Sequence, residues 1–212
     1  MSTKHRGLDV VWVNRVRTRS EERYRRGLAR GNRIAVRDHA VVETLLGAGP
    51  RAAAVGSIRV GDAHLTARPP RLTFKRKGGG NYDVVISREL AKLLNEYIDF
   101  RRQGGEAVQV ETPLFPSSRG GPLGRQAVWR IWRAGLARAG VPRDEQVGTH
   151  GARHLYATSY YGACRDLRRT QVQLGHRRST TTEIYTRVLD SDRFETAEKL
   201  YSKEEKDHVA TE

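Results

Sequence analysis

Apolar positions recur at helical spacing along much of the chain. In residues 37–48 they lie at i, i+1, i+4 and i+5, on one helical face: Val41, Val42, Leu45 and Leu46. The same pattern predicts amphipathic helices over residues 87–102 and 126–139. Helical composition also marks residues 21–30, 149–164, 167–174 and 194–201, and residues 181–188 fit a helix or a turn. The pattern therefore predicts a mainly α-helical protein.

One stretch in the first half of the chain has strand character instead. Residues 55–65 are rich in β-branched side chains, and residues 72–77 and 82–86 flank the sequence Gly78-Gly79-Gly80-Asn81. Glycine and asparagine accept the positive φ angles that tight hairpin loops need. We therefore expect a mainly α fold with a small three-stranded antiparallel β-sheet.

Breaks in the pattern suggest how the chain is organised. Residues 1–18 are basic and weakly periodic, which predicts an arm or linker. A single domain follows over residues 19–188, and residues 189–212 form an acidic tail. Within the domain, Gly49 and Pro50 end one helix and allow another to start, so Arg51 lies at the beginning of a short second helix.

The charge of the chain is strongly and unevenly basic. Its formal net charge is +15 with a pI of about 10.6, although residues 189–212 carry eight acids and only four bases. The rest of the chain therefore carries +19. Such a balance predicts a polyanionic partner, most commonly nucleic acid. Charge alone leaves open a DNA enzyme or a ribosomal or RNA-binding protein, but no aromatic stacking motif of an RNA-recognition module is present.

Three absences bound the cellular setting. No apolar run reaches the roughly 20 residues that a membrane span needs, and residues 1–8 lack the apolar stretch of a secretory signal. Cys164 is the only cysteine, so no intrachain disulfide can form. These features predict a cytoplasmic protein.

Two clusters of residues carry candidate chemistry. In the first, His150-Gly-Ala-Arg153-His154, positions i and i+3 share a helical face, so His150 and Arg153 can address one phosphate. The second is Leu174-Gly175-His176, followed nine residues later by Tyr185 in Thr181-Thr-Glu-Ile-Tyr-Thr-Arg187. The three histidines could instead bind zinc, although an arginine lies among them and no acid or cysteine supports them.

These spacings resemble the signature of the tyrosine recombinase (phage integrase) family: His-x-x-Arg-His, then Leu-Gly-His, then Thr-Thr-x-x-Tyr. Other segments are similar to the family in the same order. Gly49-Pro-Arg51 resembles its first-arginine box, the hairpin at Lys77 resembles the one that carries its lysine, and residues 113–123 resemble a later loop. The resemblance covers about residues 20–200.

The resemblance implies cleavage of duplex DNA by Tyr185, with a 3′-phosphotyrosyl intermediate and no metal, ATP or other cofactor. Permanent cations suit the charge of a phosphoryl transition state. The implied catalytic set is Arg51, Lys77, His150, Arg153, His176 and Tyr185, with His154 as a buried supporting residue. Lys75, two residues before Lys77 on the same strand face, is the alternative lysine. The expected DNA-binding residues are Lys75, Arg76, Arg125, Arg130 and Arg178.

The sequence also departs from the family pattern. Ala54 replaces the acid usual three residues after the first arginine, and Gly151 and Ala152 replace the usual Asp-Leu inside the second box. We expect weaker support of Arg51 and some loss of packing. Residues 1–20 are too few for the family's separate N-terminal clamp domain. The chain is therefore expected to be a catalytic fragment, or a short recombinase similar in length to the fimbrial invertases.

The tail predicts self-association. Phe194, Ala197, Leu200 and Tyr201 form an apolar stripe on an acidic segment, and in the family such a helix docks on a neighbouring protomer of a tetramer. Docking on its own domain is the alternative. Two functional alternatives also stay open, a type IB topoisomerase and a catalytically silent DNA-binding regulator.

Overall fold

A computed structural model of the protein describes residues 10–76 and 79–175. Seven α-helices and a three-stranded sheet make up this part of the chain. The helices are α1 (Val10–Ala29), α2 (Arg33–Ala48), α3 (Ala52–Ser57), α4 (Arg88–Gln103), α5 (Arg125–Arg138), α6 (Thr149–Cys164) and α7 (Leu167–Gln173). The strands are β1 (Ala63–His64), β2 (Arg71–Lys75) and β3 (Asn81–Val85). The predicted fold class is confirmed.

Helix α2 lies at the centre of the helical layer and contacts α1, α4, α5 and α6. Asn32 caps its start, where the side-chain oxygen accepts a hydrogen bond from the Ala35 N–H at 3.0 Å. Gly49 caps its end in the left-handed region, with φ of 60°. Because both ends are capped and most of its residues are buried, α2 provides a fixed support for the segment that carries Arg51.

The sheet has the order β1-β2-β3 and is antiparallel throughout. In the β2–β3 hairpin Phe74 pairs with Tyr82 and Lys75 pairs with Asn81. Leu72, Phe74, Tyr82 and Val84 alternate inward into the core, as the period of two predicts. The predicted glycine-rich hairpin is therefore confirmed, although residues 77 and 78 lie outside the described residues.

Two sequence predictions about the first third of the chain were wrong. Residues 10–18 are the first half of α1 and not an arm, since Val13 and Val16 pack into the core. Polar and basic side chains next to these valines, at Asn14, Arg15 and Arg17, obscured the helical pattern. Residues 55–65 are not one strand, because residues up to Ser57 complete α3, a 3₁₀ turn covers Val60–Asp62, and only Ala63–His64 pair with β2.

No helix among the described residues is long and apolar enough to cross a membrane. The predicted tail helix at residues 194–201 and the segment 181–188 lie outside the part of the chain that the structure describes.

A buried histidine between α1 and α2 predicts a pH-dependent stability. His39 is 4% exposed, stacks on Tyr24 with ring centroids 4.6 Å apart, and its Nδ1 lies 2.9 Å from the Ser20 hydroxyl. Burial lowers the pKa of His39 from its usual 6.5 to about 4. The folded state therefore keeps His39 neutral at a pH at which the unfolded chain is already protonated.

The sign follows from this difference. The contribution of His39 to stability is complete above pH 6.5 and is lost as the pH falls towards 4. At about 1.4 kcal/mol per pH unit and proton, we expect the native protein to lose roughly 2 kcal/mol more than His39→Gln between about pH 7.5 and about pH 5. Urea unfolding of both proteins at each pH measures this difference. Parallel stability curves for the two proteins would show that His39 is not the titrating group.

Candidate active site

A cleft of about 570 Å³ opens between the hairpin and the helices. Four parts of the fold contribute polar side chains to its wall: the α2–α3 junction, the β2–β3 hairpin, the first turn of α5 and the first turns of α6. The basic and histidine side chains among them are Arg51, Lys75, Arg76, Arg125, His150 and Arg153. Residues separated by about 100 positions in sequence therefore face one space.

Arg51 is positioned by the sharp exit from α2. Gly49 has φ of 60°, and a Cβ atom there would lie 2.4 Å from the ring of Tyr156 on α6. Only glycine fits this combination of backbone angle and close contact. Arg51 then serves as the N-terminal cap residue of α3, where its carbonyl accepts hydrogen bonds from the N–H groups of Ala54 and Val55. Its side chain is exposed on the cleft wall.

Arg125 reaches the same space because α3 and the start of α5 meet closely. A Cβ atom on Gly56 of α3 would lie 2.1 Å from the Leu123 carbonyl oxygen, so the backbone of the preceding loop packs directly on α3. Arg125 is the first residue of α5, two positions after Leu123. This contact fixes the exposed Arg125 beside the α3 wall of the cleft.

His150 and Arg153 share one face of α6, as predicted from their spacing. The segment before α6 is held by two indole groups. Trp12 donates a hydrogen bond to a Glu145 carboxylate oxygen at 2.9 Å, and Trp132 donates to the Val147 carbonyl at 2.8 Å. Both bonds fix the point at which α6 begins.

The unusual Gly151 and Ala152 have a structural explanation. A Cβ atom on Gly151 would lie 2.5 Å from Val147, and Ala152 is fully buried. Val147 therefore occupies the space that a side chain at position 151 would need. The expected loss of packing in this box is not observed, because the neighbouring valine fills it. At the other departure, Ala54 is buried against the cleft wall.

Arg153 is the most constrained of the candidate residues. The residue is buried, with only 2% of its surface exposed. The guanidinium donates hydrogen bonds to the Gly49 carbonyl at 2.7 Å and to the Leu174 carbonyl at 2.8 Å. One side chain on α6 thus joins the end of α2, which precedes Arg51, to the end of α7, which precedes His176.

The hairpin forms the opposite wall. Lys75 is exposed at the end of β2 and lines the cleft. Arg76 donates through Nε to the Asn81 carbonyl at 3.0 Å, and its guanidinium lies over the ring of Tyr82 at 5.6 Å. Arg76 therefore braces the hairpin neck as well as lining the cleft. Lys77 lies outside the described residues, so the choice between Lys75 and Lys77 stays a prediction.

Several predicted residues lie elsewhere. His176, Arg178 and Tyr185 are outside the part of the chain that the structure describes. Arg130 is exposed on α5 and does not line the cleft. His154 is half-buried on α6, rather than buried, with Nδ1 3.5 Å from the Thr158 hydroxyl. Arg51, His150 and Arg153 are the members of the predicted catalytic set that the structure brings together.

The charged side chains among the described residues that line the cleft are all basic. Four arginines and one lysine line it, and none of the described residues that line it is acidic. In a partly enclosed space such cations attract an anion more strongly than they do in bulk water. The planar arginine forks suit the oxygens of a phosphate diester. This arrangement can bind a phosphate and stabilise negative charge that develops on it.

Three further residues shape the site: Gly175 belongs to the Leu-Gly-His motif, whereas Gln173 and Tyr156 were not predicted from the sequence. Gln173 of α7 is bonded to both β3 and Tyr156, and Gly175 lies against the ring of Tyr82. Tyr156 is half-buried, and burial raises the pKa of its phenol to about 12, so it stays protonated. A glutamine within the helix before Leu-Gly-His was visible in the sequence, but its partners were not.

Within residues 10–76 and 79–175, no group of three or more histidine, cysteine, aspartate or glutamate side chains is placed to hold a metal ion. The zinc alternative involves His176, which is outside these residues.

Comparison with known proteins gives the family. Residues 20–192 match the model of the phage integrase family, so the chain belongs to that family. It is 32% identical over 155 residues to the tyrosine recombinase XerD of Corynebacterium glutamicum, covering 73% of this chain and 49% of the relative. It is likewise 32% identical to the tyrosine recombinase XerC of Pelobacter propionicus, covering 79% of this chain and 53% of that protein. The chain thus spans about half the length of these curated relatives.

The fold is also shared with solved recombinase structures. The XerA recombinase superposes with a TM-score of 0.74 at 24% identity, covering 94% of this chain and 65% of that one. A λ integrase dimer bound to a COC′ core site gives a TM-score of 0.60 at 15% identity, covering 87% and 60%. At these identities the likeness concerns the fold, and it confirms the predicted catalytic-domain architecture.

Proposed function

We propose that the protein is a tyrosine site-specific recombinase, which cleaves and rejoins duplex DNA through a covalent 3′-phosphotyrosyl link at Tyr185. The observation that carries this proposal is the cleft in which Arg51, Arg153 and His150 converge with further cations and with no acid among the described lining residues. Membership of the phage integrase family and relatives named tyrosine recombinase support it.

Each residue of the catalytic set has a distinct role in the proposed reaction. Arg51 and Arg153 hold the nonbridging oxygens of the scissile phosphate, since arginine forks are permanently charged and planar. His150 donates a further hydrogen bond and accepts the proton of the attacking phenol. Lys77 or Lys75 protonates the departing 5′-oxygen, His176 completes the oxyanion contacts, and Tyr185 is the nucleophile.

Contacts with the DNA phosphate backbone, at the cleft and beyond it, would position the duplex. Arg125 stands at the cleft, and Arg130 is exposed further along the same helix, so α5 offers phosphate contacts that continue away from the reacting centre. Arg76 and Arg178 are proposed to add to this surface. Such contacts orient DNA without reading its sequence, and they make binding salt-dependent.

The proposed partners are duplex DNA and other copies of the same chain. A solved XerH recombinase with the same fold is bound to its difH substrate, which supports DNA as the partner here. Self-association as a tetramer rests on the apolar stripe of Phe194, Ala197, Leu200 and Tyr201 in the acidic tail. A cytoplasmic location stays a prediction from the single cysteine.

The recombinase function is favoured over a type IB topoisomerase, because the relatives described above are recombinases. A silent regulator is disfavoured because the sequence holds the candidate nucleophile Tyr185 in addition to the cations, and DNA binding alone needs no nucleophile. Product analysis on a plasmid with two target sites separates the first two functions. A recombinase exchanges flanking DNA between the sites, whereas a topoisomerase only relaxes supercoils.

The decisive experiment traps the covalent intermediate. Nicked suicide DNA fragments from the region flanking the gene are incubated with the protein and EDTA, and adducts are resolved after SDS treatment. We expect an adduct with the native protein, complete loss with Tyr185→Phe, and retention with the control Tyr160→Phe, whose half-buried tyrosine lies on α6. An adduct that persists in Tyr185→Phe identifies another nucleophile, and tight DNA binding without any adduct supports the regulator.

A further inference from the structure

Gln173 makes an unusual set of contacts for a helix-terminal glutamine. It is the last residue of α7, it is only 6% exposed, and it precedes His176 by three positions. Its amide nitrogen donates to the Val85 carbonyl and to the Tyr156 hydroxyl oxygen, each at 2.6 Å. Its amide oxygen accepts from the Val85 N–H at 3.3 Å.

The two hydrogen bonds between Gln173 and Val85 complete the edge of the sheet. β3 is an outer strand, because the sheet order is β1-β2-β3. The outward N–H and C=O of Val85 would otherwise lack a strand partner, as such groups do along the edge of any sheet. The Gln173 amide presents one acceptor and one donor in the arrangement of a neighbouring strand residue. It therefore attaches α7 to the hairpin.

The hydrogen bond between Gln173 and Tyr156 links this attachment to α6. Tyr156 lies three residues after Arg153 and six after His150 on the same helix. One side chain thus joins β3, α6 and α7, and each of these elements is connected to part of the proposed catalytic set. β3 belongs to the hairpin of Lys75 and Lys77, α6 carries His150 and Arg153, and α7 leads to His176.

We propose that Gln173 is a positioning residue for DNA cleavage, which fixes the hairpin, α6 and α7 relative to one another before DNA binds. This inference rests on the proposed function, since it concerns the same cleft. Gln173 touches no substrate atom. It acts by limiting the spread of distances among cations from three elements, and a misplacement of about 1 Å can cost about 100-fold in rate.

The chemistry of the amide gives a discriminating pair of variants. Gln173→Met keeps the approximate volume and removes all three hydrogen bonds. Gln173→Glu keeps the shape, and the Tyr156 hydroxyl can donate to its carboxylate, but the ionised carboxylate cannot donate to the Val85 carbonyl and repels it. When the carboxylate is protonated it regains one donor. The defect of Gln173→Glu should therefore shrink as the pH is lowered.

The test measures the single-turnover rate of adduct formation at saturating suicide DNA, and separately the affinity for the same DNA. For Gln173→Met we expect a rate at least about tenfold lower with affinity within about twofold of the native protein. Gln173→Glu should show a similar loss at neutral pH and partial recovery near about pH 5. The control Thr112→Val removes two side-chain hydrogen bonds, with the Gln109 N–H at 2.9 Å and the Ala107 carbonyl at 3.4 Å, in a loop outside this junction and the cleft, and should retain the native rate.

Hydrogen exchange supplies a readout that needs no cleavage. The Val85 amide should exchange faster in Gln173→Met than in the native protein. Native cleavage rates in both Gln173 variants, or losses of affinity that match the losses of rate, would overturn the positioning role. If the native protein forms no adduct on any DNA, the proposed function fails. If the native protein forms the adduct and both Gln173 variants form it at the native rate, only the positioning role fails.

Discussion

Replacing Arg153 with lysine is expected to reduce covalent cleavage of DNA by at least about 100-fold, the cost typical of removing one donor to a developing oxyanion. Lysine keeps the positive charge but places it on a single nitrogen. The native guanidinium donates to two carbonyls, those of Gly49 and Leu174, at 2.7 Å and 2.8 Å. A single ammonium cannot serve both and also face a phosphate with the same geometry.

The same substitution is expected to destabilise the fold. A buried carbonyl that loses its donor costs about 1–3 kcal/mol, and Arg153 is 2% exposed. Urea unfolding and single-turnover adduct formation should be measured together, with Arg88→Lys at the exposed start of α4 as the control. We expect the control to match the native protein in both. Native cleavage by Arg153→Lys would mean that charge alone, without the two-carbonyl anchor, is sufficient.

Gly175→Ala is expected to be the second most damaging change. Gly175 has φ of 65°, and a Cβ atom there would lie 2.2 Å from the ring of Tyr82. The backbone angle alone costs about 1–2 kcal/mol for alanine. Forcing an extra carbon against a packed ring adds about 1–3 kcal/mol. The glycine of the Leu-Gly-His segment is therefore needed for close approach to the hairpin as well as for its backbone angle.

A matched control separates these two costs. Gly31 has nearly the same φ, 63°, but no atom lies within 4 Å of a Cβ atom built there. Gly31→Ala should therefore show the backbone cost alone in urea unfolding, and Gly175→Ala should exceed it by the packing cost. Equal losses in the two variants would show that Tyr82 moves aside freely. In that case the hairpin would not be fixed by the segment that precedes His176.

Much of the fold could be predicted because the helices bury one regular face. The predicted range for α6, residues 149–164, matches the structure at both ends. The predictions failed where tertiary contacts override local preference. Val55 and Ile58 are β-branched and suggested a strand. Val55 instead lies within α3, Ile58 is the C-cap residue of this helix, and both are buried. Such burial depends on partners that are distant in sequence.

The candidate site likewise contains residues that could be predicted from the sequence and contacts that could not. Arg51, His150 and Arg153 could be assigned to one centre because the motifs that contain them resemble those of the tyrosine recombinase family. Their anchors could not be assigned, since the carbonyls of Gly49 and Leu174 are backbone groups that every residue possesses. Gln173 shows the intermediate case. Its side chain was visible in the sequence, but its role depends on the exposed edge of β3, which only the folded sheet defines.

Helix α1 has a mechanical consequence. Its 20 residues form a continuous rod about 30 Å long. Val13, Val16 and Tyr24 clamp this rod to the core, and the Trp12–Glu145 bond ties it to the segment before α6. Any polypeptide joined ahead of Val10 would therefore be attached to a rigid helix. A force on that helix would act, through the Trp12–Glu145 hydrogen bond, on the segment before α6, the helix that carries His150.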